Sequence, residues 1–176
     1  MSNINIYNKK IVRKTSGTHD FQLSTEEHNA IRKECTFYKN NRAASIEALK
    51  IVQKNRGWVS DNAIVSIAKI LRISTVDLEG VATFYNQIFR QPVGRYIIRY
   101  CDSAVCYLTG YENIKNKLIN ILGGICAGET TADNNFTLLP TCCLGMCDKA
   151  PVIMVNQDIY CYVVPETISK LLGKYL

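Results

Sequence analysis

The sequence contains no long hydrophobic run, and this absence limits where the protein can work. None of its apolar stretches approaches the roughly 18–20 residues that a helix needs to span a lipid bilayer. The first 21 residues are polar and basic and lack the apolar segment of an export signal. We therefore predict a protein of a reducing compartment, with no segment inserted into the membrane.

Motifs of several common enzyme classes are also missing. The chain has two histidines, neither near the cysteines at ligand spacing, which disfavours an iron–sulfur site with histidine ligands. It has no Cys-x-x-Cys pair of the kind that thioredoxin-like thiol oxidoreductases use. It has no glycine-rich dinucleotide fingerprint and no phosphate loop. These absences fit a chain without a nucleotide site of its own, and we predict no catalytic residues in it.

Cysteine, by contrast, is abundant, with eight in the chain. In a reducing compartment this number indicates metal binding rather than a disulfide framework. Four cysteines form two pairs in the C-terminal half, Cys101 with Cys106 and Cys143 with Cys147. Each pair flanks a short predicted loop, and thiolates from two such loops can enclose one metal centre. The spacings favour an iron–sulfur cluster over zinc or no metal. Cys142 precedes Cys143 directly, so the spacing leaves open which of these two is the ligand.

The remaining cysteines lie outside these two pairs. We predict that Cys35 and Cys161 are small hydrophobic residues of the core, a common place for a free cysteine. The spacing does not define the roles of Cys126 and Cys142.

Positive charge is concentrated in the first part of the chain. Residues 1–100 carry 16 basic and 8 acidic side chains, whereas residues 101–176 carry 5 and 7, which together give the net charge of +6. The basic residues are scattered singly, without the dense patch and stacking aromatics of a nucleic-acid site. We predict no binding to nucleic acid, and a basic helical surface that faces solvent or an acidic partner subunit.

Helical periodicity dominates residues 23–91, and residues 1–22 before them have none. We predict a flexible N-terminal arm over 1–22 and a helical bundle over 23–91. Ser24 and Glu27 form a capping box, and Gly57 is a helix stop. The predicted helices run from residue 25 to about Lys39, from about Ala43 to Asn55, from Ser60 through Leu71, and from Ser74 to Val81.

The pattern changes to strands alternating with helices over residues 92–176. The predicted order is β-α-β-β-β-α, an α/β (α+β) arrangement of a small sheet with a pair of helices. Proline at 165 is typical of the first turn of a helix. The predicted elements are a strand over 95–100, a helix over 111–122, a strand over 136–139, a loop over 142–151, strands over 152–155 and 159–162, and a helix over 165–172.

Three segments of this C-terminal part occur together in a specific combination: Cys101–Cys106, Gly128–Asp133 and Cys143–Pro151. This combination resembles the thioredoxin-like [2Fe–2S] ferredoxin family. The likeness covers about residues 20–172. Its helical part resembles one branch, the E subunits of the proton-pumping NADH:quinone oxidoreductases (respiratory complex I), in the segments Ala48–Gln53, Gly57–Ser60, Gly80–Tyr85 and Pro92–Tyr96.

The resemblance implies one [2Fe–2S] cluster with Cys101, Cys106, Cys143 and Cys147 as ligands, and Cys142 pointing away. It implies an electron-transfer subunit of a translocating oxidoreductase. A partner flavin subunit would bind FMN and NADH, and FMN would exchange an electron with the cluster. Other partners would be the peripheral-arm subunits, at the cytoplasmic face of a bacterial inner membrane. The alternatives are a small subunit of an NAD-linked hydrogenase or formate dehydrogenase, and a zinc-stabilised interaction module.

Aromatic and sulfur-containing side chains near these segments have simpler explanations. Phe84, Tyr85 and Phe89 are predicted to lie in the core or at an interface. The resemblance implies that part of the helical region packs on the flavin subunit. Tyr100 and Met146 flank predicted ligands, and we expect them to shield the cluster from water.

Overall fold

The computed structural model describes residues 22–175, which form a helical part followed by a sheet with helices on one face. The predicted N-terminal arm, except for its last residue, lies outside the described residues. Within the described part the helices are α1 (Thr25–Cys35), α2 (Ser45–Arg56), α3 (Asp61–Leu71), α4 (Thr75–Phe84), α5 (Ala104–Leu108), α6 (Tyr111–Ile121) and α7 (Pro165–Leu172). The strands are β1 (Tyr96–Cys101), β2 (Phe136–Thr141), β3 (Ile153–Val155) and β4 (Asp158–Tyr160). None of the described helices is both long and apolar enough to cross a bilayer.

The helix starts follow the predicted capping residues. The Ser24 hydroxyl accepts from the Glu27 backbone N–H, and the Glu27 carboxylate accepts from the Ser24 N–H, which completes the capping box. Ser60 and Ser74 cap α3 and α4 in the same way, through their hydroxyls. Gly57 ends α2 with a φ of 81°, a left-handed conformation that glycine adopts without steric cost. The four helices enclose a core whose largest fully buried side chains are Ile31, Leu49, Ile64, Ile67, Leu71 and Leu78.

Three predicted helix ends were wrong. α1 stops at Cys35 rather than near Lys39, because the following N–H groups bond to carbonyls three residues back and the exposed Phe37 has no core to pack on. α2 begins at Ser45, after a short 3₁₀ turn that Asn40 caps. α4 continues past Val81 to Phe84, and Ala82 in this extra segment is buried.

The sheet has the strand order β2-β1-β3-β4, and only β1 and β2 run parallel. Helices α6 and α7 cover one face and pack on a second core, which includes Ile98, Leu118, Leu138 and Ile168. The predicted strands and helices all occur, although the short helix α5 was not predicted. The helical and sheet parts therefore have separate buried cores, while the division at residues 91 and 92 stays a prediction.

Gly94 lies where the linker from the helical part joins the sheet. A Cβ added there would lie 2.9 Å from backbone atoms of Asn135 and Phe136, and the Gly94 N–H donates to Thr137 Oγ1 at 2.6 Å. We expect Gly94→Ala to lower the free energy of unfolding by about 1–3 kcal/mol, because the backbones must separate to admit the methyl group. Chemical denaturation followed by circular dichroism measures this change.

Gly80 provides the matched control for this substitution. It lies inside α4, and an added Cβ would meet no heavy atom within 4 Å. Gly80→Ala should therefore raise the free energy of unfolding by up to about 1 kcal/mol through the higher helix propensity of alanine. Equal stability of Gly94→Ala and the unsubstituted protein would show that the close contact at Gly94 relaxes without cost.

Candidate metal centre

The parallel pairing of β1 and β2 brings the two cysteine pairs to one edge of the sheet. Cys101 is the last residue of β1 and lies opposite Thr141, the last residue of β2. The backbone N–H of Asp102 donates to the Thr141 carbonyl at 3.1 Å, so the two chains leave the sheet side by side. The loop after β1 carries Cys106, and the loop after β2 carries the second pair. The four predicted ligands thus come from neighbouring loops.

The first pair is buried, and a helix that the sequence analysis missed holds it. The residues between Cys101 and Cys106 were predicted to form a loop, but α5 begins at Ala104 and carries Cys106 in its first turns. Ser103 is the residue before this helix, a position that serine favours, so its presence was a usable signal. The Ser103 hydroxyl lies 3.1 Å from Cys101 Sγ. Both cysteines are 2% exposed and pack against Val152.

The second pair is exposed and closely spaced. Cys143 Sγ and Cys147 Sγ lie 3.1 Å apart. Gly145 adopts a φ of 83°, which turns its N–H toward Cys143 Sγ at 3.3 Å. Cys147 begins a short 3₁₀ turn that ends at Lys149. Gly145 therefore brings a backbone N–H donor to the sulfur of Cys143.

Each pair contains one thiol whose ionisation is favoured. Burial acts to raise the pKa of Cys101, but hydrogen bonds from Ser103, from Cys106 and from the backbone N–H of Leu144 outweigh it and hold the pKa below its ordinary value. The pKa of Cys143 is also lowered, by a hydrogen bond from Cys147 and by the Gly145 N–H.

The partner thiol in each pair holds its proton more firmly. Burial, together with the hydrogen bond to Cys101, raises the pKa of Cys106 to about 11. The pKa of Cys147 is raised by its hydrogen bond to Cys143. Cys101 and Cys143 therefore lose their protons more readily than Cys106 and Cys147 do, and a metal that takes all four sulfurs displaces the remaining protons.

Contacts between the loops join the pairs into one site. The backbone N–H of Leu144, in the second loop, acts to lower the pKa of Cys101, and the backbone N–H of Val152 acts to lower the pKa of Cys106. The negative charge on Cys101 also raises the pKa of Cys147. Sequence reasoning did not identify these two N–H donors, because any residue can supply a backbone donor.

Four sulfur donors with inward N–H groups suit an iron–sulfur cluster, whose sulfurs accept such hydrogen bonds. Among residues 22–175, no three His, Cys, Asp or Glu side chains converge closely enough to hold a single metal ion. The cysteines instead form two pairs, which lie close enough for the charge on Cys101 to act to raise the pKa values of Cys143 and Cys147. Leu144, Met146 and Ala150 pack against the buried sulfurs, which agrees with the predicted shielding by Met146. Tyr100 is buried and stacks on Tyr111, with ring centroids 6.0 Å apart.

The other cysteines lie in different environments. Cys142 and Cys126 are exposed, and the short sulfur contact of the second loop involves Cys143. Cys35 is half-buried and packs against the helical core, as predicted, and Cys161 is half-buried. The choice of Cys143 over Cys142 stays a prediction.

Comparison with known proteins gives the family. The profile of the family described as thioredoxin-like [2Fe–2S] ferredoxin matches residues 31–176. The E subunit of NADH-quinone oxidoreductase from Buchnera aphidicola (subspecies Acyrthosiphon pisum) is 62% identical over 155 residues, covering 88% of this chain and 95% of that relative. The corresponding E subunit from Escherichia coli K12 is 57% identical over 158 residues, covering 90% and 95%. This chain belongs to the thioredoxin-like [2Fe–2S] ferredoxin family, among the E subunits of NADH-quinone oxidoreductase.

This chain shares its fold with a solved structure. An NAD⁺-reducing [NiFe]-hydrogenase in its H₂-reduced state aligns with a TM-score of 0.61 and 24% sequence identity. The alignment covers 72% of this chain and 22% of the hydrogenase chain. At this identity the likeness shows the fold alone. The aligned part of the chain is longer than the sheet with its helices, so it also includes part of the helical region.

Proposed function

We propose that this chain holds one [2Fe–2S] cluster on Cys101, Cys106, Cys143 and Cys147 and exchanges single electrons with FMN in a partner subunit. The observation that carries the proposal is the convergence of two cysteine pairs at the ends of β1 and β2, with backbone N–H groups directed at their sulfurs. When bound, the cluster supplies a centre that accepts and releases one electron at a time.

The residues of the chain set the environment of that centre. The Gly145 N–H donates to Cys143 Sγ, and the backbone N–H groups of Leu144 and Val152 act to lower the pKa values of Cys101 and Cys106, so all three favour negative charge on the sulfurs. The buried first pair lies away from water, whereas the exposed second pair lies at the surface. This asymmetry leaves one side of the site open to a redox partner.

The surface beside the site supports a docked partner. Helix α5 carries Cys106 on its buried side and exposes apolar side chains on the other, with Leu108 at 83% and Tyr107 at 58% exposure. Large apolar residues exposed in one turn next to a metal centre are typical of a protein interface. We assign this surface to the flavin subunit, which also binds NADH.

Two features support assembly into a larger oxidoreductase. The relatives of 62% and 57% identity are subunits of NADH-quinone oxidoreductase and match over 95% of their length. The chain also exposes Phe84 at 80%, with Tyr85 stacked edge-on against it at 5.2 Å between ring centroids. We propose that the chain joins the peripheral arm of such a complex at the cytoplasmic side of the inner membrane, and that the Phe84 surface contacts a subunit there.

Metal and sulfide analysis with electron paramagnetic resonance tests the proposal. The anaerobically purified, dithionite-reduced protein should contain about two irons and two acid-labile sulfides per chain and give a signal near a g value of about 2. A protein with zinc, without sulfide and without a signal, would contradict the electron-transfer proposal and support a zinc-stabilised interaction module.

A further inference from the structure

The two faces of the sheet are covered differently. Successive residues of a strand point to opposite faces, so Ile98 and Tyr100 of β1 face the core beneath α6 and α7. Arg99 therefore points to the other face. The pairing places Leu139 of β2 and Met154 of β3 beside Arg99, and Ile159 of β4 beside Met154. We call these four side chains (Leu139, Arg99, Met154 and Ile159) the Arg99 row.

The guanidinium of Arg99 is desolvated and has no counter-charge among residues 22–175. The residue is 5% exposed. Its contacts are a hydrogen bond from Nη1 to the Asn156 carbonyl at 3.4 Å and the ring of Phe89, whose centroid lies 5.6 Å from Cζ. Within residues 22–175 no acidic side chain forms an ion pair with it. Burial lowers the pKa of Arg99, and no carboxylate acts in the opposite direction.

Part of this guanidinium still reaches the surface. In the described part of the chain, every fully buried side-chain nitrogen or oxygen has a hydrogen-bond partner. The Arg99 nitrogens that make no hydrogen bond must therefore be accessible. A fixed, largely dehydrated fork of N–H donors at the surface is the arrangement that binds a carboxylate most strongly.

The rest of the Arg99 row is apolar. Leu139 and Met154 are half-buried, and Ile159 is 43% exposed. An arginine surrounded by apolar side chains is a common pattern at the energetic centre of protein interfaces, where the apolar ring excludes water. A second copy of this chain is a poor occupant, because a two-fold contact would bring two Arg99 side chains together.

We propose that the Arg99 row binds another subunit of the oxidoreductase through an acidic side chain set in an apolar surface. The carboxylate pairs with the open N–H groups of Arg99, and apolar side chains around it pack on Leu139, Met154 and Ile159. The inference rests on the proposed function only for the identity of the complex that contains the partner.

The test compares Arg99→Met in the isolated full chain and in the assembled complex. In the isolated chain we expect the unfolding midpoint to rise by at least about 2 °C, because a buried charge without a partner is removed. In the complex we expect the chain to dissociate at least about tenfold faster after dilution, because the partner's carboxylate loses its counter-charge. The faster dissociation should persist at high salt, since salt screens a desolvated ion pair only weakly.

Arg95→Met is the matched control, because it removes the same charge one residue before the same strand. Arg95 is exposed and lies over the Tyr96 ring at 5.2 Å. We expect little change in either assay, and any effect on dissociation should disappear at high salt.

Three results would overturn the inference. A lower unfolding midpoint for Arg99→Met in the isolated chain would mean that Arg99 serves the fold through Phe89. An unchanged dissociation rate would mean that no partner uses it. A dimer of the isolated chain that Arg99→Met abolishes would make a second copy the occupant. Iron and sulfide content is measured on the same samples, so absence of the cluster would contradict the proposed function without altering these outcomes.

Discussion

Cys101→Ala will remove the iron, the acid-labile sulfide and the electron paramagnetic resonance signal from the purified protein. Cys101 supplies one sulfur of the buried pair, and its Sγ also contacts the Ser103 hydroxyl at 3.1 Å. Alanine loses both interactions and leaves Cys106 without its partner. We expect the iron content to fall from about two per chain to none, as measured by metal analysis and visible absorbance.

Cys142→Ala is the control for this loss. Cys142 is exposed and next to Cys143 in sequence, and its substitution removes an equally sized thiol. Iron, sulfide and resonance should match those of the unsubstituted protein, because Cys143 makes the contact with Cys147 at 3.1 Å. A Cys142→Ala protein without a cluster would move the ligand from Cys143 to Cys142. A Cys101→Ala protein with its full spectrum would contradict the whole ligand set.

Arg56→Met will cause a large loss of stability in the helical part. Arg56 binds the Glu27 carboxylate with two N–H groups, Nε to Oε1 at 2.8 Å and Nη2 to Oε2 at 2.5 Å. The Glu27 side chain is 2% exposed, so the substitution leaves a buried carboxylate without its counter-charge. We expect a loss of about 3–5 kcal/mol at neutral pH, as measured by chemical denaturation.

The loss of stability caused by Arg56→Met should become smaller at low pH. The hydrogen bond from Arg56, opposed by burial, lowers the pKa of Glu27 below its ordinary value of 4.5 in the folded state. A lowered pKa stabilises the fold above the unfolded-state value, and that stabilisation disappears as the pH falls through the folded-state value. The difference between Arg56→Met and the unsubstituted protein should therefore shrink below pH 4.5.

Lys50→Met is the matched control for the Arg56 substitution. Lys50 pairs with Glu47 at 2.8 Å on the same helix, but both side chains are well exposed. An exposed pair contributes little, so we expect a change below about 1 kcal/mol. If both variants lost equal stability, the burial of Glu27 would not be the cause.

Local chemistry explains why much of the fold was predictable. Ser24, Ser60 and Ser74 cap helices with their own side chains, and Gly57 ends one through a conformation that few other residues adopt. Each signal lies within a few residues of the element it controls. The end of α1 was harder to place, because residues 36–39 keep helical composition and lack only a core to pack on.

In the candidate site, too, some residues were predictable from the local sequence, and others depend on how distant parts of the chain pack. The cysteine spacing indicated the candidate ligands, because a metal ligand must be of a particular residue type. The N–H donors of Leu144 and Val152 had no such signal, since their positions depend on how the loops pack. Arg99 had none either, because its isolation from acidic groups becomes visible only once the strands are paired.

The parallel pairing of β1 and β2 has a consequence for the order of assembly. Tyr96 lies opposite Phe136, a contact between residues 40 positions apart, with two helices in the crossover between them. Such a pairing forms slowly, because the intervening chain must lose conformational entropy before the contact contributes to stability. Until it forms, Cys101 and Cys143 belong to unrelated parts of a flexible chain. With the proposed ligand set, loading of the cluster therefore follows the pairing of β1 with β2.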